Sequence, residues 1–412
     1  MKEIRLIFIL LIIASFGDVL RLSPDSPITL FRLLIPYSFH VIYKINHYFF
    51  RQFVSIICLF IILSFVQYFF TTTIWYPYIY LFSFTHLVVF LLHYITLFVV
   101  IGLVCCLWML DQKAFFMRMV NYSSKFVKFC VFAYAVNAIL TLNPVPFPLF
   151  SNINDFGCVL AAGIPAILFE ESTIKYKKWI YIILILLILI YDDSKLALFG
   201  GVLEIMLYFI HRLSNNVGTR VRRFAMYLWG GLCTFGIVCF FTSDIEINGY
   251  SVHDIVMTPF RLIYEGEFFE VSNTSMTYRV NAIIGLIKII LDTFGVGVGA
   301  GSSGFILQDM MPNLGEVYGN GYLSSHIWWL EVMADIGWIF IIPATIIYIR
   351  QIGRFCSLNN SREQLFSQIL ILSFPLWCMS SSGLYTEYFS ITLMSTSFVL
   401  FKNDLQKTSK SV

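Results

Sequence analysis

Arg279, Lys195 and His326 are side chains of the types that hold phosphate or move a proton, and each lies at the edge of an apolar run. Arg279 follows Ser275-Met276-Thr277-Tyr278 and opens a segment with Val280, Ile283, Ile284, Ile287 and Leu291 on helical spacing. That pattern predicts an amphipathic helix on a membrane surface, with Arg279 at headgroup level. A guanidinium there grips phosphate through paired hydrogen bonds; its alternative is an ion pair with a nearby acid, or snorkelling to lipid. Lys195 closes the turn Tyr191-Asp192-Asp193-Ser194-Lys195, where it is either a second phosphate anchor or the neutraliser of Asp192 and Asp193. His326 begins Ser325-His326-Ile327-Trp328-Trp329-Leu330-Glu331. An imidazole with an ordinary pKa of about 6.5 suits taking a proton from a hydroxyl, and an interfacial histidine beside tryptophans is the plainer reading. Glu331, an acid inside an apolar run, is a candidate by default and lies about 140° round a helix from His326, which argues against direct contact. Asn154-Asp155 opens another apolar run, with a helix N-cap as its simplest role. His86 and His93 are seven residues apart and share a helix face, as a proton relay or as partners in ordinary hydrogen bonds between helices. The glycine-dense stretch 295–304 permits close backbone approach but matches neither nucleotide-binding loop pattern, and alone it is a loop.

The elements that must position these residues are membrane spans. Of 412 residues 58% are hydrophobic and 12% charged, about half the charged share of an average soluble domain. Apolar runs lie near 4–18, 28–43, 53–70, 83–109, 126–142, 156–170, 179–191, 196–210, 225–242, 327–349, 365–381 and 386–401. They predict an all-α, polytopic helical membrane protein with about twelve transmembrane helices. The first run follows Met1-Lys2-Glu3-Ile4-Arg5 and lacks a small-residue cleavage site, so it is expected to stay as an uncleaved helix.

Charge sets the orientation. With both termini in the cytoplasm, all 27 lysines and arginines fall on the cytoplasmic side except Arg21, Arg32, Lys195, Arg261, Arg279 and Lys288. This layout divides the chain into spans one to nine (1–242), a large extracytoplasmic loop (243–325), spans ten to twelve (326–401) and a cytoplasmic tail (402–412). The loop carries nine acids against Arg261, Arg279 and Lys288. A net charge of +3 does not point to nucleic acid, and the nine cysteines form neither a disulfide framework nor a metal-ligand spacing. No fixed-period repeat and no inverted duplication of the transporter kind is visible.

Together these features resemble the O-antigen ligase and polymerase superfamily of bacterial inner-membrane proteins. The resemblance covers most of the chain. It rests on Asn154-Asp155-Phe156-Gly157, on Ser194-Lys195-Leu196-Ala197, on Arg279 followed by its helix and the Gly-x-Gly turn to Gly299, and on His326 through Glu331 with Gly337 beyond. Lys195 stands where that family usually has Arg, and Ile327 where it usually has Asn. The resemblance implies a metal-independent, cofactor-free glycosyl transfer from an undecaprenyl-pyrophosphate-linked glycan. In that scheme Arg279 and Lys195 hold the pyrophosphate, His326 acts on the acceptor hydroxyl, and Asn154, Asp155 and Glu331 line the substrate site. The expected partners are the lipid-linked oligosaccharide, membrane lipid, a flippase and a chain-length regulator. The product would be surface polysaccharide polymer; alternatives are a ligase that passes polymer to lipid A core, and a glycolipid transporter.

Overall fold

The computed structural model describes residues 2–16, 29–77, 84–141, 153–171, 175–192, 194–217, 246–247, 250–251, 275–311, 328–355, 361–377 and 388–409. Its first half is a run of helices: α1 (Lys2–Ser15), α2 (Leu30–Leu33), α3 (Ile35–Ile45), α4 (His47–Phe70), α5 (Phe84–Leu110), α6 (Phe115–Thr141), α7 (Ile153–Phe169), α8 (Lys175–Tyr191) and α9 (Lys195–Val217). Then come β1 (Glu246–Ile247) and β2 (Tyr250–Ser251), a two-residue antiparallel ladder pairing Glu246 with Ser251. Six helices follow: α10 (Ser275–Asp292), α11 (Ser302–Met310), α12 (Trp328–Ile336), α13 (Trp338–Phe355), α14 (Arg362–Trp377) and α15 (Tyr388–Ser409). Eleven of the twelve apolar runs meet helix, and the run at 225–242 lies outside the described residues.

Among the described residues three helices are long and apolar enough to cross a membrane: α4 with its π-helical extension to Trp75, α5 and α6. The 27 residues of α5 rise about 40 Å, more than the roughly 30 Å of a hydrocarbon core. A fourth span results only if α12 and α13 count as one.

α4 shows how sequence chooses a face. Phe53, Ile57, Phe60, Ser64, Gln67 and Thr71 recur every three to four residues and are buried. Ile56, Leu59, Ile62, Val66 and Phe69 form the opposite stripe and are exposed. An apolar stripe of that length outside the protein core suits lipid, not water. The buried stripe changes character along its length: its first half is aromatic and aliphatic core, and its last three positions are polar.

α5 runs through the centre and packs on α1, α3, α4 and α15. Around it the main core joins Leu97, Val100, Leu103, Phe116, Val127, Leu160, Phe366 and Phe389. At one end Lys128 pairs with Glu170, Arg362 pairs with Glu171 at 2.8 Å, and Lys178 donates to the Glu170 carbonyl. The charge layout expects these three bases on one side, and the fold gathers them on one pair of acids.

Two expectations change. The run 327–349 is not one straight span: α12 and α13 meet at Gly337 with a bend of 119°. The helix after Arg279 exists, but protein covers much of it. Ala282, Ile284, Gly285, Leu286 and Ile289 are buried, and α10 packs on α11 and α12, while Leu291, expected on the apolar face, is exposed. The resulting small second core joins Leu286, Ile289, Val298, Ile306, Leu307, Leu330 and Ala334.

Candidate functional site

The glycine stretch after α10 is a built joint. Phe294, Gly295, Gly297, Gly299 and Gly301 all take positive φ, from 51° to 98°. An L side chain enters that region with strain, so glycine is the residue that fits. The backbone of this turn lies directly on the α12–α13 elbow. The Val298 N–H donates to the Ala334 carbonyl (3.0 Å), Gly299 N–H to Asp335 (3.0 Å) and Trp338 N–H to Gly295 (2.9 Å). A Cβ at Gly297 would stand 2.6 Å from the Asp335 carbonyl oxygen, and one at Gly337 would stand 2.3 Å from that of Gly295. Two glycines thus let two backbones touch.

Asp335, fully buried near the end of α12, ties the joint from inside. Its carboxylate accepts the Gly301 N–H at 2.8 Å, the Ser303 N–H at 3.1 Å and the Tyr94 hydroxyl at 3.3 Å. Gly301 is the N-cap of α11 and brings no side chain to cap it. Asp335 fills that role from another helix and places negative charge at the positive end of the helix dipole. The polar end of α4 closes the third side. Gln67 Nε2 donates to the Val296 carbonyl (2.7 Å) and Thr71 Oγ1 to that of Val298 (2.8 Å). Beside them Tyr76 donates to Asp292 Oδ2 at 3.0 Å, and burial, reinforced by the Asp292 charge, pushes its phenol above the usual range.

A second corner forms where α7 meets the α8–α9 turn. α7 begins at Ile153, so Asn154 and Asp155 sit inside its first turn and not at its N-cap. Asp155 is buried. A Cβ at Gly157 would meet Ser194 Oγ at 2.3 Å and Ala197 Cβ at 3.4 Å. Tyr134 on α6 donates to Asp192 Oδ1 at 2.7 Å. Burial raises the Asp192 carboxyl above its ordinary value, and the Tyr134 hydroxyl pulls it part of the way back.

Of the residues singled out by sequence, Asp155, Lys195 and Glu331 lie on the elements that form these two corners. Arg279 lies in the second turn of α10, the helix that leads into the glycine joint. Glu331 is buried on α12, one turn before Asp335. Lys195 is the first residue of α9, beside Ser194. The side chains of Arg279, Lys195 and Asn154, and the whole of His326, lie outside the described residues. The four local patterns therefore meet in pairs: the Asn154 segment with the Ser194 segment, and the Arg279–Gly299 segment with the one that carries Glu331 and Gly337.

Histidines 86 and 93 part company. His86 stacks on Phe305 of α11, ring centres 4.5 Å apart, while His93 Nδ1 lies 2.5 Å from Arg32 Nη2. The hydrogen bond between helices is what His93 makes here. Sequence reasoning passed over Asp335 and Arg32 as site residues. Asp335 carried a usable signal, since it is an acid deep in an apolar run, by the same rule that marked Glu331. Arg32 was noted only as a base on the less basic side.

Comparison of the chain with family models, with curated proteins and with solved structures finds no match.

Proposed function

We propose that this chain is an extracytoplasmic glycosyltransferase of the bacterial inner membrane, with about twelve spans and both termini in the cytoplasm. It would polymerise the lipid-linked repeat units of a surface polysaccharide. One observation carries the reading: the glycine turn that follows Arg279's helix docks, backbone to backbone, on the elbow that follows Glu331. A joint of that kind fixes the C-terminal end of α10 against α12, which supports a rigid frame for the residues that these two helices carry. Positioned groups of this sort are what a transfer reaction needs.

In this reading Arg279 and Lys195 take the departing pyrophosphate and offset its growing charge. His326 accepts the acceptor hydroxyl's proton or orients that hydroxyl, and Asn154, Asp155 and Glu331 shape the site. The pyrophosphate leaving group drives the transfer without nucleotide or metal. A ligase that hands polymer to lipid A core differs only in acceptor. The transporter reading draws on two buried acids, Glu331 on α12 and Glu204 on α9, the latter accepting a hydrogen bond from Ser373 Oγ at 2.8 Å.

Gel analysis of surface polysaccharide from a deletion strain separates the three. Single repeat units on the acceptor mark a polymerase, lipid-linked polymer with none transferred marks a ligase, and repeat units trapped on the inner face mark a transporter. Complementation with Arg279→Ala should restore no polymer although the protein inserts, and His326→Ala should cut polymer by about two orders of magnitude. Full polymer from Arg279→Ala removes that residue from the mechanism. An alkaline phosphatase fusion after Asn273 should be active, and cytoplasmic fluorescence from a fluorescent protein at that site would refute the orientation.

A further inference from the structure

Arg32 sits in α2, a four-residue helix whose sides differ: Phe31 and Arg32 are buried, Leu30 and Leu33 exposed. Arg32 carries a cation, and the residue as a whole is only 6% exposed. The groups described around it are neutral. Nη2 donates to His93 Nδ1 of α5 at 2.5 Å and to the Tyr388 hydroxyl of α15 at 3.3 Å. Because His93 accepts through Nδ1, its own proton belongs on Nε2. Nε of Arg32 is buried without any hydrogen-bond partner, and no carboxylate among the described residues pairs with the guanidinium.

A buried cation with an open N–H and no counter-charge among the described residues is costly and calls for an anion. Guanidinium matches carboxylate and phosphate alike, and for an anion that comes from the membrane the phosphate of a lipid headgroup fits in both charge and hydrogen-bond geometry. The approach route identifies the carrier. Leu30 and Leu33 flank Arg32 and are exposed at 39% and 52%, so the surface next to the open charge is apolar. A phosphate that comes with a hydrocarbon chain can lay that chain on the leucines while its head reaches Arg32.

We propose that Arg32, set in place by His93 and Tyr388, is the binding site for the phosphate of a membrane lipid. That the lipid is a polyprenyl carrier rests on the function proposed above; that it is a lipid phosphate does not.

The test uses the purified full-length chain in phosphatidylcholine nanodiscs, with thermal unfolding and native mass spectrometry as readouts. The probes are dioleoylphosphatidate, undecaprenyl phosphate and inorganic phosphate. Both lipids should bind and raise the unfolding temperature of the wild type. Arg32→Gln, which loses the charge-assisted bonds, should bind them ten- to a hundredfold more weakly. Inorganic phosphate should be a poor ligand, and if it binds as tightly as the lipids the lipid assignment is overturned. Unchanged lipid binding in Arg32→Gln overturns the site. Should that variant fail to insert, the wild type still decides, since no shift with either lipid rejects the proposal. Undecaprenyl phosphate binding no better than phosphatidate, with both dependent on Arg32, would leave this site standing and count against the polyprenyl function alone.

Discussion

The two corners bring sequence patterns together by different means. At the first, α7 meets the α8–α9 turn through side chains: Gly157 leaves room for the Ser194 hydroxyl, and Tyr134 reaches Asp192. At the second, main chain meets main chain, and one carboxylate, Asp335, accepts two backbone N–H groups. Side chains can rotate to absorb an added atom; a backbone with positive φ at every second residue cannot. The second corner should therefore be brittle and the first tolerant.

The sharpest way to break that contrast is Gly337→Ala. Its φ is 76°, and the added Cβ would lie 2.3 to 2.5 Å from backbone atoms of Gly295 and Val296. Left-handed strain alone costs about 1–2 kcal/mol, and displacement of the turn adds to it, so a loss of about 3 kcal/mol or more is expected in detergent unfolding. A loss under about 1 kcal/mol would mean that the turn is free to move. Next comes Asp335→Ala, which strands the Gly301 and Ser303 N–H groups at a cost of about 3 kcal/mol. Hydrogen exchange should show those two amides losing protection while the core of α5 keeps its own; unaltered protection would show that the carboxylate holds nothing.

Gly157→Ala should cost less, about 1–2 kcal/mol, because the nearest atom is the rotatable Ser194 hydroxyl. Adding Ser194→Ala should recover part of the loss, since Ser194 Cβ remains 3.0 Å from the added methyl, and a double variant no better than the single would place the clash elsewhere. The smallest effect is a slope. Asp192 has its carboxyl raised by burial above the ordinary 3.8. Between that value and the raised one the folded state holds more proton than the unfolded state, so stability falls as pH climbs through this window. Asp192→Asn should flatten that fall in a pH series of unfolding temperatures, and an identical slope in both proteins would clear Asp192 of any part in it.

Much of the helical content was legible because apolar runs must satisfy their own backbone, and helix is how a single segment does so. The fold gathers Lys128, Lys178 and Arg362 around Glu170 and Glu171, a set of partners that the Lys and Arg pattern does not name. The glycine stretch was visible as composition but not as structure. Nothing in its spacing says that Gly297 faces Asp335, since the two are separated by 37 residues of intervening chain. The run 327–349 read as one span because hydropathy averages over a residue like Gly337 and carries no information on φ.

What the amino-acid sequence determines by itself is therefore local: where helices form, which stripe of α4 is apolar throughout and which turns polar at Ser64, Gln67 and Thr71, and which ends carry positive charge. These follow from period, hydropathy and charge along neighbouring residues. The tertiary structure alone decides which distant groups meet, such as Asp335 with the head of α11, Gly157 with Ser194, and Arg32 with His93 and Tyr388. The physical reason is that a buried polar group is defined by its partner, and a partner 61 or 356 residues away leaves no periodic trace in the chain.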